Sequence, residues 1–147
     1  MASQAVMVLQ RALGRRLLAV VLFGSRARGE ASQTSDWDLL VIAEGIPDRP
    51  FQRHLFLKRL LPPRCRAAVS MLARTKLEFE SHVPSLYLDI ALDGQVLYDP
   101  SGYAAGRLAV LRTLMNEAGL YRVRVEAGMA WRWSKPVSHP WFLAWEN

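Results

Sequence analysis

Apolar positions along the chain change their spacing from segment to segment, and each spacing predicts an element. Val6, Leu9 and Leu13 recur at helical intervals over residues 3–13, with Ser3 as N-cap and Gly14 as stop. Arg11, Arg15 and Arg16 lie largely off that apolar face. Residues 17–23 are apolar at every position, which predicts a strand buried on both faces and therefore central in its sheet. A second strand is predicted over 36–43. Between the two lie a Gly24-Ser25 turn, one helical turn at 26–28 stopped by Gly29, and a polar loop at 30–35. That link is too short for a full crossover helix, so the two strands are expected to run antiparallel.

Downstream, the pattern predicts a helix from about 50 to 61, capped by Asp48 or a neighbour and ended by Pro62-Pro63. A third strand is expected over 67–73, then a helix start at Thr75 with Glu78 in capping-box register. A short helix over 85–92, a strand over 95–98 and a long helix through Ala118 follow. Asp99 or Ser101 would cap that long helix, Leu108, Leu111 and Met115 would face inward, and Gly119 would close it. Alternating runs at 121–125 and 129–133, around Ala127-Gly128, predict a hairpin, while 136–147 carries no regular pattern. Helices and strands interleave throughout. The expected architecture is α/β or α+β, one mixed sheet covered mainly by helices, in a single domain spanning 1–147. Its core would occupy about 3–118, with the hairpin and an aromatic tail over about 120–147.

Composition narrows the function classes. With 147 residues, 51% hydrophobic and 22% charged, the chain suits one folded domain and argues against disorder. No apolar run approaches the roughly 20 residues that span a bilayer, so no membrane segment is expected. The first residues lack the basic start and apolar block of a signal peptide. A lone Cys65 offers no disulfide framework and fits a cytoplasmic setting. His54, His82 and His139 are far apart, with no partner at zinc-ligand spacing. The net charge of +6 fits either a solvated basic surface or affinity for a polyanion such as a nucleotide, RNA or an acidic partner. Arginine predominates over lysine, which suits phosphate and carboxylate pairing, although a GC-rich genome produces the same bias.

The chemistry concentrates in one stretch. A glycine and serine at the end of a strand and the start of a helical turn present backbone N–H groups to an anion. Gly24 lets a phosphate approach, the Ser25 hydroxyl can add a hydrogen bond, and Arg26 and Arg28 add cationic reach. Asp36 and Asp38, one residue apart on a strand, share a face with Trp37 on the other. Two such carboxylates facing the turn can hold Mg²⁺ against a phosphate chain.

Gly24-Ser25-Arg26-Ala27-Arg28-Gly29, six residues, then Asp36-Trp37-Asp38-Leu39 resembles the signature of the minimal nucleotidyltransferases of the DNA polymerase beta-like superfamily. The resemblance covers residues 17 to 42 directly; Leu88-Asp89 to Tyr98-Asp99 and Trp133-Ser134-Lys135-Pro136 are weaker echoes. It implies a nucleotidyltransferase fold and Mg²⁺-dependent transfer of a nucleoside monophosphate, AMP from ATP or another from its triphosphate. Gly24 and Ser25 would bind phosphate, and Asp36 and Asp38 the metal and the catalytic function. In similar stand-alone members the partner is commonly a helical protein with a HEPN-type ribonuclease domain, the pair acting as toxin and antitoxin. An RNA or small-molecule acceptor is left open but not favoured, since no second domain for it is recognisable here, and oligomer formation is left open as well.

One feature of that family is absent. Its mechanism uses a third carboxylate on the next strand, as base towards the attacking hydroxyl. Here that strand reads Arg66-Ala67-Ala68-Val69-Ser70-Met71-Leu72, with Ala68 or Ser70 at the facing position. The nearby acids, Glu78, Glu80 and Asp89, fall in predicted helices. Two readings therefore stand: an active transferase, or a catalytically weakened domain that neutralises a partner by binding alone. Trp131 and Trp133 are expected to pack, and Trp141, Phe142 and Trp145 to cover the sheet or meet a partner.

Overall fold

The computed structural model describes residues 1–134 and 143–145. Helix α1 (Ala2–Leu13) buries Ala5, Val6, Leu9 and Leu13 along one stripe. It begins a residue earlier than the pattern predicts: Met1 occupies the N-cap and Ser3 lies inside the first turn. A single tight turn, Gly14–Arg16, then delivers the chain to β1 (Leu17–Phe23).

Strand β1 pairs antiparallel with β2 (Trp37–Ala43), from Ala19 opposite Ile42 to Phe23 opposite Asp38. β3 (Val69–Arg74) runs parallel to β2, and β4 (Gln95–Tyr98) antiparallel to β1, giving the order β3-β2-β1-β4. β1 and β2 are thus interior, as their unbroken apolar runs require. Side chains alternate between two cores. Val20, Leu22, Leu39 and Val41 meet α1, α3 (Pro50–Leu60) and α4 (Pro63–Ala68). Ala19, Val21, Leu40 and Ile42 meet α5 (Lys76–Ser81), α6 (Ser85–Asp93) and α7 (Tyr103–Ala118). The mixed sheet is flanked by helices on both faces.

Further details depart from the sequence pattern. Asp48 does not cap α3: Arg49 holds that position without a side-chain bond, and Pro50 pre-sets the first turn. Pro63 does not merely end α3 but starts α4, which takes Ala67 and Ala68 out of the expected strand. Proline at a first helical position costs nothing, and alanine is the best helix former. The long helix has Gly102 rather than Asp99 or Ser101 at its N-cap, yet the Asp99 carboxylate still accepts from the N–H groups of Ala104 and Ala105, at 3.0 and 2.8 Å. Finally, β5 (Leu120–Val125) and β6 (Gly128–Trp133) form their own two-stranded sheet and do not extend the main one. They pack by face, with Trp131 and Trp133 against the core beside α7.

Glu78 sits where its spacing from Thr75 predicts, closing a reciprocal capping box at the start of α5. It also receives a two-point ion pair from the buried Arg53, at 2.8 and 3.2 Å. From the tail, Leu143 is buried and Trp145 packs on Phe79, its Nε1 donating to the Phe79 carbonyl at 3.1 Å. The expectations for Lys135-Pro136, Trp141 and Phe142 lie outside the described residues. Among the described residues no helix is long and apolar enough to cross a membrane.

Candidate nucleotide and metal site

Three consecutive elements assemble the site. β1 ends at Phe23, and α2 (Gly24–Arg28) begins at once with Gly24 at φ +75. Gly29 at φ +72 ends α2, its N–H returning to the Ser25 carbonyl. The polar loop then leads to Asp36 and into β2, whose first pairs place Asp38 opposite Phe23.

Gly24 is required here twice. Its left-handed backbone disfavours any side chain, and a Cβ added to it would collide with the Asp38 carboxylate, 3.2 Å from Asp38 Cγ. The strand-end turn and the second aspartate are therefore in contact, although Gly24 and Asp38 stand fourteen positions apart in the sequence. Parity along β2 puts Asp38 on the face of Leu40 and Ile42, and Trp37 on the opposite face, where it packs into the other core.

The electrostatics fit a pair of close carboxylates. Burial raises the Asp38 pKa above its ordinary value and the negative charge of Asp36 raises it further, while Arg28 acts in the opposite sense. Asp36 is exposed and Asp38 half-buried. Two hard oxygen donors, strained against one another and open to solvent on one side, fit a divalent cation such as Mg²⁺ whose remaining ligands are phosphate oxygens and water.

The arginines divide. Arg26 is held in the loop: Nη2 donates to the Ser35 carbonyl at 2.9 Å, and the guanidinium carbon lies 4.4 Å from the centre of the Trp37 ring. It therefore braces the approach to Asp36. Arg28 is more exposed, with weak contacts to Glu30 at 3.4 Å and Asp93 at 3.8 Å that an anionic ligand could replace.

Among the described residues no third carboxylate completes the pair. Ser70 stands directly beside Asp38 in the parallel register, on the same face, so the position that the sequence narrowed to Ala68 or Ser70 is Ser70. Ala68 ends α4. Glu78 is spent on Arg53 and Thr75, which hold its pKa down to about 2. Glu80 accepts from Tyr103 Oη at 2.5 Å and pairs with Arg107. Asp89 pairs with Arg122 at 2.9 Å. Among the described residues no group of three or more His, Cys, Asp or Glu side chains converges as a metal site.

What the sequence did not show is a chain of charges joining the hairpin to the turn. Arg122 of β5 grips Asp93 through both terminal nitrogens, at 2.6 and 2.7 Å, and Asp93 in turn reaches Arg28. Arg124 pairs with Glu30. Arg122, Arg124 and their alternation were visible; their partners, about 30 to 95 residues away in sequence, were not.

A left-handed Gly-Ser turn seated on an Asp-x-Asp strand start, within a mixed sheet flanked by helices, defines the nucleotidyltransferase class. The Polymerase beta, Nucleotidyltransferase family matches residues 8–101, and the chain belongs to that family. It is similar to the Putative protein adenylyltransferase MJ1305 of Methanocaldococcus jannaschii, 48% identical over 48 residues. That match covers 33% of this chain and spans a third (33%) of the length of the relative. Among solved structures, a toxin–antitoxin with AMP-PNP aligns at a TM-score of 0.54 and 20% identity, over 80% of this chain and 92% of that one. A tri-AMPylated Shewanella oneidensis HEPN toxin in complex with MNT antitoxin aligns at 0.51 and 19% identity, over 78% and 83%. At these identities the likeness is one of fold.

Proposed function

We propose that the chain is a Mg²⁺-dependent nucleotidyltransferase that moves AMP from ATP to a protein partner, a helical HEPN-domain toxin to which it is the antitoxin. The observation that carries this reading is the contact between Gly24 and the Asp38 carboxylate. It brings a phosphate-binding turn and a metal-binding pair into one site, which neither motif would do alone. Relatives point the same way: one carries protein adenylyltransferase in its name, and two similar folds are toxin–antitoxin complexes, one with AMP-PNP and one with an AMPylated toxin.

In this site the α2 N–H groups and the Ser25 hydroxyl would hold the β- and γ-phosphates, with Arg28 released from Glu30 to neutralise them. Asp36 and Asp38 would hold Mg²⁺, which when bound neutralises charge on the phosphates during transfer. Burial, and then the charge of Asp36, raises the Asp38 pKa, and a bound cation would favour its ionised form. Arg26 keeps the 30–35 loop folded so that Asp36 reaches the site.

Ser70 favours a second reading. A neutral hydroxyl where a base is expected forgoes roughly 10²–10⁴-fold of rate, which is compatible with a slow enzyme or with a domain that masks its partner by binding. The two are separated by an Asp36→Asn/Asp38→Asn double variant tested against the toxin. Transfer predicts that label from α-labelled ATP reaches the partner and that the double variant neither labels nor protects. Masking predicts protection without labelling.

A further inference from the structure

The two helical layers of the molecule carry charge of different kinds. α1, α3 and α4, with the tight turn at 14–16, cover the sheet face opposite the one that bears Asp38, and α1 lies against both of the others. Residues 2–16 and 50–68, which build that layer, hold eight Arg and Lys and no Asp or Glu. The whole chain is net +6, so everything outside the layer is net acidic. There the arginines meet carboxylates: Arg107 pairs with Glu80, Arg122 with Asp93 and Arg124 with Glu30. Within the layer only Arg53 does so, with Glu78, and Arg53 is buried. Arg11, Arg15, Arg59 and Arg64 stand exposed, with no hydrogen bond or ion pair from their side chains among the described residues.

We propose that the outer surface of this layer binds a single-stranded nucleic acid, at a site separate from the Gly24-Ser25 turn and the aspartates. Three observations carry the inference. The first is the missing acids. Unpaired like charges repel, and a surface that served solubility alone would intersperse both signs. A base-composition bias adds arginine throughout a chain but does not clear one layer of carboxylates. The nearest acids, Glu44 and Asp48, lie in the loop ahead of α3, and Glu44 accepts from the Lys76 N–H at 3.0 Å.

The second is what accompanies the arginines. Gln4, Gln10 and Gln52 are exposed on the same helices, and guanidinium and amide groups both donate to phosphate and sugar oxygens. The centre of a protein-binding face is instead apolar and depleted in charge. The third is Phe51, 72% exposed in the first turn of α3 and two positions from the exposed Arg49. An open aromatic ring beside cations is a stacking platform for an unpaired base, whereas the bases of a duplex are already stacked on one another. The arginines thus hold the backbone, and Phe51 selects the single strand.

The test is fluorescence anisotropy of the full chain with a labelled single-stranded RNA and with a DNA duplex of equal length, over rising potassium chloride. The parent is expected to prefer the single strand, with log K falling linearly against log salt. Arg15→Gln/Arg64→Gln is expected to weaken RNA binding roughly tenfold and to make that slope shallower by about 0.7 for each lost phosphate contact. Arg112→Gln/Arg132→Gln removes the same charge from exposed positions on α7 and β6 and is expected to bind as the parent does. Phe51→Ala is expected to weaken the RNA about tenfold and to leave the slope unchanged. Melting temperatures close to the parent's show that the variants are folded. Equal losses in the two double variants would reduce the effect to net charge and overturn the proposal. Displacement of the RNA by ATP with Mg²⁺ would place it in the transferase site and overturn it too. So would absence of RNA binding at low salt, tighter binding of the duplex, or equally tight binding of polyglutamate, which would assign the face to an acidic protein.

Discussion

Gly24 and Gly29 have nearly the same backbone, φ +75 and +72, yet different surroundings, and this makes them a matched pair for testing the site. Nothing lies within 4 Å of a Cβ at Gly29, whereas at Gly24 it would strike Asp38. Gly29→Ala is expected to cost about 1–2 kcal/mol of left-handed strain and to leave nucleotide binding intact. Gly24→Ala is expected to suffer the same strain and, in addition, to lose nucleotide affinity by displacing Asp38. Thermal denaturation and nucleotide titration of the two variants separate these effects; equal affinity losses would show that the contact with Asp38 is irrelevant. Ser70 offers the converse experiment. Ser70→Asp places a carboxylate beside Asp38 on its own face and is expected to raise the rate of transfer, at most by about 10²–10⁴-fold. An unchanged initial rate would mean that the missing acid does not limit this chain. A third residue speaks to stability. Arg53, through its hydrogen bonds, and then the Thr75 cap hold Glu78 at about 2, below the ordinary 4.5. Its folded pKa is the lower one, so the pair's contribution is complete above about pH 4.5 and is lost as pH falls from 4.5 towards 2. Solvent screening of the half-exposed carboxylate keeps it modest. Glu78→Gln is expected to flatten the acid limb of a stability–pH curve measured by urea unfolding, and an identical slope would contradict this.

At the scale of elements, legibility in the sequence followed how far each determinant lay from its partner. β1 was fully legible, and α2 and β2 nearly so, because an apolar run, a Gly-Ser turn, a glycine stop and two aspartates one residue apart are local signals; α2 begins at Gly24 rather than after the turn, and β2 at Trp37 rather than Asp36. The antiparallel pairing came from loop length alone. Helix α4 was hidden because Pro62-Pro63 signals a stop, and nothing nearby says that the second proline also starts a helix. The hairpin was legible as a hairpin but not as a separate sheet, since its place is set by Trp131 and Trp133 packing by α7 and by Arg122 and Arg124 reaching α6 and the loop after α2. Asp99 shows an intermediate case. Its capping role was foreseen, while the left-handed Gly102 that fills the cap position was not. Removing that carboxylate exposes two orphan N–H groups, so Asp99→Ala is expected to cost about 0.5–2 kcal/mol, measured by chemical denaturation. A loss near zero would show that Gly102 alone suffices.

For the whole molecule, membership of the polymerase beta nucleotidyltransferase family and a mixed sheet between two helical layers agree with the motif that organises the chain. The two-carboxylate part of the site was legible because both aspartates sit in one strand with the turn just before it. That β3 carries no acid is read from its sequence, but only register could decide between Ala68 and Ser70 as the neighbour of Asp38. The charge chain that joins the hairpin to the turn was beyond sequence reasoning, because arginines and carboxylates alternate on many surfaces and only the fold selects pairs. The central claim is transfer, and it is tested most directly by incubating the purified chain with Mg²⁺, α-labelled ATP and the proposed partner, sought as a helical HEPN-domain product of a neighbouring reading frame. The account predicts label on the partner, abolished by Asp36→Asn or Asp38→Asn. Nucleotide binding without label on the partner or on the chain itself would contradict it.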